Sequence, residues 1–194
     1  MNGASEQIKN LFEDIRKEEN IQLETVEGIK AGIVPIIEEA AKNPDIYYLF
    51  EEMQAKNEYK YKHNIGVGII ATYLGTKLGL SKENLSDLTL AAILHDVGKT
   101  RIPERLLEKP GKLTATEYEE IKRHTIYGYE LLKSIPGIPP SIALTALQHH
   151  EREYRQGYPH KLKGSNIYYL SKIVAIADVF YVIRSCLSSG NAIL

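Results

Sequence analysis

An all-α fold, a helical bundle preceded by a short helical extension, is expected from three observations. Apolar residues recur at intervals of three and four along nearly every segment. No stretch alternates apolar and polar with the period of two that a half-buried strand requires. Helix start and stop signals punctuate the chain at fitting intervals. We place the extension at residues 1–58 and the main domain at residues 59–194, with a weak boundary near residues 43–60.

In chain order, Ile8, Leu11, Phe12 and Ile15 form one stripe with charges between them, which predicts an amphipathic helix. Val26, Ile29, Ile33, Ile36 and Ile37 predict a second, bent by Pro35. Asn43-Pro44-Asp45 is a turn signal. Residues 62–79 place His63, Val67, Ile70 and Leu74 on one helical face. Ser81 can cap the next helix, whose run from Leu85 to Leu94 is apolar almost all round and therefore buried. Gly98 is a plausible stop for it, and residues 100–113, with Pro103, Pro110 and Gly111, predict a loop. Thr114 and Glu117 have capping-box spacing and open a helix to about Lys133. Pro136, Pro139 and Pro140 end it and start another at Ser141 to His150. Residues 151–166 are polar and irregular, and residues 167–184 form a last apolar helix.

Composition narrows the function. The 194 residues are 43% hydrophobic and 25% charged, enough for a core without staples. A net charge of -1 gives no basic field for a nucleic-acid polymer or an anionic membrane. The single cysteine, Cys186, rules out a disulfide framework or a cysteine-rich zinc site. With no secretory pattern at the start and no apolar run of about 20 residues, a cytoplasmic location is expected.

Chemistry concentrates where apolar helices end. His63, His95, Asp96, His124, His149, His150 and Asp178 fall at such places. Alone, His63 and His124 suit solvated positions, and His149-His150 suits the negative end of a helix dipole. Asp178, inside Ile173-Val174-Ala175-Ile176-Ala177-Asp178-Val179-Phe180, and Asp96, ending an apolar helix, are harder to explain. Aspartate is seldom fully buried unless paired or ligating, and Lys99 is the only nearby cation in sequence. Metal ligation therefore fits both better than a buried ion pair. Imidazole and carboxylate without thiolate suit iron, manganese, zinc or nickel rather than a structural zinc site. Neighbours such as His95-Asp96 diverge by about 100° on a helix, so they address two ions rather than chelate one.

The string His95-Asp96-Val97-Gly98-Lys99 resembles the signature of the HD phosphohydrolase superfamily. His63 upstream and, downstream, Lys109 to Thr114, His124, His149-His150-Glu151, Gly157-Tyr158-Pro159 and Ala177 to Phe180 give the order of the HD-GYP subfamily. The resemblance covers about residues 60–181 and implies a bundle of the HD-domain type. It implies hydrolysis of the small-molecule nucleotide cyclic di-GMP by a hydroxide activated between two divalent transition-metal ions. His63, His95, Asp96 and Asp178 would hold one ion, and Asp96, His124, His149 and His150 the other, with Asp96 as bridge. Lys99 would act beside Asp96 in catalysis, contacting the scissile phosphate or the bridging hydroxide; Gly157, Tyr158 and Pro159 would help bind substrate. Tyr59 stands where some members carry a glutamate for a third metal, so two are expected. A second copy of the chain, or an upstream sensor or receiver domain, are the macromolecular partners that such a module takes.

The sequence departs from the subfamily pattern in three places. Tyr154-Arg155-Gln156 replaces the usual approach to Gly-Tyr-Pro, Tyr181 stands for an aspartate, and Leu187 to Gly190 occupy the place of a basic segment. These departures keep two alternatives in view: a signalling module of this fold with weak or no activity, and a hydrolase of another nucleotide or phosphoester. Arg152, Arg155 and Arg184 are read as surface charges, Glu151 as a partner behind the ligands or in a salt bridge, and His160 as exposed.

Overall fold

The computed structural model describes residues 2–43 and 59–189. Ten α-helices and two short 3-10 turns make up the described residues, which contain no strand. Helices α1 (Asn2–Glu18), α2 (Leu23–Gly32) and α3 (Val34–Ala40) lead into α4 (Tyr59–Lys77) and α5 (Lys82–Leu94). A 3-10 turn (Val97–Arg101) and the one-turn α6 (Glu104–Leu107) follow. Then come α7 (Ala115–Lys122), α8 (His124–Lys133), α9 (Pro140–Gln148), a second 3-10 turn (Gly164–Asn166) and α10 (Tyr169–Ser189). No described helix is long and apolar enough to cross a membrane.

Helices α4 and α5 form the middle layer, and this is why they are apolar on more than one side. Ile65 and Ile69 of α4 and Leu90, Ile93 and Leu94 of α5 join a core with Ile8, Leu11 and Ile15 of α1, Val26 and Ile29 of α2, and Leu131 and Ile142 of α8 and α9. On the opposite side, Val67, Ile70 and Ala71 of α4 and Leu88 and Ala92 of α5 pack against Leu170, Ile173, Val174 and Ala177 of α10. The N-terminal helices thus share one continuous core with the bundle. Asn43 lies among the described residues, whereas the rest of the Asn43-Pro44-Asp45 signal and most of the 43–60 boundary lie outside them.

Local signals explain several boundaries. The Ser81 hydroxyl accepts the Asn84 amide at 3.3 Å, and Thr114 with Glu117 forms the reciprocal capping box. Other boundaries differ from expectation. The segment bent at Pro35 is two helices meeting at Ile33, with Pro35 in the first turn of α3, where its missing N–H costs nothing. The proline-bearing loop contains α6, started after Pro103. The long helix to Lys133 divides at Arg123, whose backbone is still right-handed helical, so no glycine or proline marks the break.

Gly98 is the clearest correction. Helix α5 ends at Leu94, and Gly98 sits buried inside the following 3-10 turn, so it is not the stop. A Cβ there would lie 1.9 Å from the His124 carbonyl oxygen and 2.4 Å from the Gly128 amide nitrogen. Glycine is required because two backbones touch: the turn after Asp96 rests directly on the start of α8.

Candidate metal centre

The core brings the ends of several helices to one point. His95 caps the end of α5 and Asp96 follows it. His124 opens α8 immediately after the end of α7. His149 caps the end of α9, and His150 is next. His63 comes from the N-terminal part of α4, and Asp178 from the middle of α10. All seven residues named from the sequence are together, and all but His63 and His150 belong to the buried class.

They divide into two groups, His63, His95 and Asp178 in one and Asp96, His124, His149 and His150 in the other, with candidate ligand atoms inside each group within 4.8 Å of one another. Asp96 faces both. Its Oδ2 lies 3.4 Å from His95 Nε2 and 3.6 Å from His63 Nε2; its Oδ1 lies 3.4 Å from His124 Nε2 and 3.8 Å from His149 Nε2. Asp178 Oδ1 stands 3.3 Å from His63 Nε2.

The hydrogen bonds behind the rings fix which nitrogen faces inward. His95 Nδ1 donates to the Ala92 carbonyl at 2.7 Å, His124 Nδ1 to Ile121 at 2.7 Å, and His149 Nδ1 to Ala146 at 2.9 Å. Donation from Nδ1 leaves Nε2 as a lone pair in the neutral ring, the arrangement that orients metal-ligating histidines. His124 Nε2 and His149 Nε2 then face each other at 3.3 Å with no proton between them. Asp96 Oδ1, buried beside them, has no hydrogen-bond partner. Two opposed lone pairs and an orphan carboxylate oxygen are costly unless a cation satisfies them. The donor set therefore fits divalent ions.

Four of the five histidines favour the neutral, ligating form. Burial lowers His63 from 6.5 to about 3, His124 to about 4 and His150 to about 2, and holds His149 well below the ordinary range. Burial also opposes the charged form of Asp96, but Lys99 and His95 outweigh it and keep the carboxyl well below its usual value. Lys99 Nζ reaches Asp96 Oδ2 at 2.5 Å. His95 is raised: burial works against it, but the attraction of Asp96 and its hydrogen bond prevail. Burial raises Asp178.

These shifts predict an acid weakness in the metal-stripped protein. The unfolded chain takes up protons at ordinary histidine values, whereas the four lowered histidines resist them when folded. Their stabilisation is therefore present above pH 6.5 and is lost as pH falls toward their folded values. His95 and Asp178, both raised, work with the opposite sign, two against four. The urea midpoint of chelator-treated protein is expected to be lower at about pH 5 than at about pH 7.5; an unchanged or higher midpoint would contradict it.

The surrounding residues are partly as expected. The Tyr158 ring stacks on His150 with centroids 4.7 Å apart and 26° between planes, and Lys122 Nζ lies 5.4 Å from its centre. Gly157 is buried beneath the 150–152 backbone, where a Cβ would come within 2.4 Å of Glu151 Cα, so its role is to shape the loop. Tyr158 and Pro159 are half-buried. Lys99 is half-exposed at the centre's edge. Glu151 makes no salt bridge among the described residues; its carboxylate accepts the His160 and Leu162 amides at 2.7 and 2.8 Å and ties down the 151–166 loop. His160 and Arg155 are exposed and Arg184 is half-buried. Arg152 is not a free surface charge, because it donates to the His149 and Glu151 carbonyls at 3.2 and 2.9 Å. One contact had no sequence signal. The Tyr181 ring meets His63 edge-on with centroids 5.2 Å apart, in space that a Cβ on Gly66 would fill.

Fold and site together define a helical bundle with two adjacent His/Asp groups, each of which could hold a metal ion, and with Asp96 facing both. The chain belongs to the HD domain family, whose model matches residues 47–191. It is 45% identical over 117 residues to the cyclic di-GMP phosphodiesterase response regulator RpfG of Xanthomonas campestris, covering 60% of this chain and 31% of that protein. It is 39% identical over 141 residues to a cyclic di-GMP phosphodiesterase of Thermotoga maritima, covering 69% and 38%. It is 38% identical over 128 residues to the 3'3'-cGAMP-specific phosphodiesterase 1 of Vibrio cholerae, covering 66% and 30%. The chain thus spans about a third of the length of these relatives. Among solved structures it resembles Bd1817, an HDG"Y"P protein of Bdellovibrio bacteriovorus, with a TM-score of 0.75 at 20% identity over 98% of this chain and 60% of that one. These matches uphold the HD-GYP resemblance carried by the motifs.

Proposed function

We propose that the chain is a metal-dependent phosphodiesterase of cyclic dinucleotides, with cyclic di-GMP as its first substrate. The observation that supports this best is Asp96, whose two oxygens face separate histidine groups while one of them stays buried without a partner. His63, His95, Asp96 and Asp178 would hold one ion, and Asp96, His124, His149 and His150 the other, with iron or manganese the first ions to test and nickel or zinc the alternatives. Such a pair, when bound, supplies Lewis acidity toward a phosphoryl group and lowers the pKa of water.

The chain's own groups do the rest. The carbonyl-anchored histidines hold their ring planes without reorganising, which keeps the site preorganised. Lys99, now held by Asp96 Oδ2, is the cation at the edge and can transfer to a phosphate oxygen of a bound diester. Tyr158 is occupied on its His150 side, so it buttresses that histidine and offers the substrate its edge and hydroxyl.

The test is turnover by purified protein loaded anaerobically with iron or manganese, with cyclic di-GMP and 3'3'-cGAMP as parallel substrates. Linear dinucleotide from cyclic di-GMP is the expected product. Turnover of 3'3'-cGAMP alone would reassign the substrate within the class. Absence of turnover with either metal, in protein shown to contain two ions, would reject the phosphodiesterase reading.

A further inference from the structure

The turn that carries Asp96 and Lys99 is held from two sides. On one side Gly98 rests against the α8 backbone. On the other lies α1, more than eighty residues away in sequence. Arg16 Nη1 donates to the Ile102 carbonyl and its Nη2 to the Lys99 carbonyl, both at 3.3 Å. Arg101 Nη2 donates back to the Glu19 carbonyl at 3.3 Å. Each arginine thus serves the carbonyl end of the other's element. Arg16 neutralises the end of the 3-10 turn Val97–Arg101, and Arg101 neutralises the end of α1, where Glu19 leaves the helix at φ 54. The base of Arg16 is fixed because its neighbour Ile15, 2% exposed, is locked into the core with Ile8 and Leu11.

The two carbonyls that Arg16 holds are informative. Lys99 O also accepts the Ile102 amide at 3.1 Å, so it closes the last turn of the 3-10 segment. That segment sets where the Lys99 side chain leaves the backbone, and the side chain then reaches Asp96 Oδ2. Slack in the turn would move Lys99 relative to Asp96 without touching the histidines, whose rings are anchored by carbonyls of their own or neighbouring helices.

We propose that Arg16 is a positioning residue for the Asp96–Lys99 turn, which makes the N-terminal helix part of the working centre and a mechanical handle on it. This rests on the phosphodiesterase reading above. Displacement of α1 would loosen the Lys99–Ile102 end of the turn from outside while the histidine rings keep their own carbonyl anchors.

The experiment compares the full chain with Arg16→Ala, Arg16→Gln and, as a control at the next exposed position, Lys17→Ala. Metal content, kcat and KM are read together with backbone hydrogen exchange of the metal-loaded protein. Arg16→Ala is expected to lower kcat about fivefold to tenfold, since small misplacements of a reacting group cost this much or more. Metal content and KM should stay near wild type, and exchange should quicken in the 97–102 segment but not in α9. Arg16→Gln, which keeps donors for the two carbonyls, should recover part of the loss; Lys17→Ala should show none. Wild-type kcat and unchanged exchange in Arg16→Ala would overturn the proposal. So would a general rise in exchange shared by Arg16→Gln, because that would mark Arg16 as a fold contact only. If the wild-type chain turns over no cyclic dinucleotide, the functional reading fails, while the exchange comparison still decides whether Arg16 holds the turn.

Discussion

Asp96→Ala is expected to abolish metal loading in both halves of the centre, taking the content from about two ions per chain to near none, because a single carboxylate links the two groups. Each Asp96 oxygen lies within 3.4 Å of a different histidine group, so no other residue can replace it for both. Turnover should fall by at least about 10³-fold, beyond the loss of one electrostatic contact, since the ions and the partner of Lys99 go together. His124→Ala is the contrasting variant. It touches only one Asp96 oxygen and should leave about one ion, in the half formed by His63, His95 and Asp178. Elemental analysis after gel filtration measures both. Two ions retained in Asp96→Ala would show that the halves are independent and that Asp96 is no bridge.

Gly98→Ala should be the most damaging alanine substitution among the described glycines. The added Cβ meets backbone, not a side chain that can rotate away: 1.9 Å from the His124 oxygen and 2.4 Å from the Gly128 nitrogen. One of the two elements must move. Overpacking of this kind costs about 3 kcal/mol, which for a chain of this size lowers Tm by roughly 6–12 °C. Because His124 and Asp96 belong to the two elements forced apart, metal binding should weaken in the same variant. Thermal melting of the metal-free and metal-loaded forms separates the two effects. A melting temperature within about 2 °C of wild type would mean that the crossing yields more easily than its contacts imply.

The readable parts of the sequence were those governed by local chemistry or by burial of charge. Thr114 and Glu117 form a capping box because both partners sit within one turn. Asp178 stood out because a carboxylate amid isoleucine, valine and alanine demands a partner, and its partner is His63. The remaining ligands became legible only in combination, through the HD-GYP pattern, since His63 and His124 taken singly have ordinary surface explanations. What could not be read depended on contacts between distant segments. A glycine after an apolar helix has the same local appearance whether it ends the helix or admits another backbone, and Gly98 does the second. Arg123 keeps helical dihedrals through the break between α7 and α8, so nothing local announces it. Arg16 looks like any basic residue in the last turn of an amphipathic helix until the fold places the 3-10 turn beside it.

The convergence of helix ends on the centre has a consequence for its charge. Helices α5, α7 and α9 all finish there, and three of the histidines are tied to carbonyls in their final turns. A helix terminus of this kind carries about half a negative charge, so three together present well over one, to which Asp96 adds its own. Those termini and Asp96 draw cations inward, while Lys99 and the start of α8 at His124 set positive charge beside them. Cations and anions thus meet opposite helix ends around one point, which lets charges of both signs settle side by side.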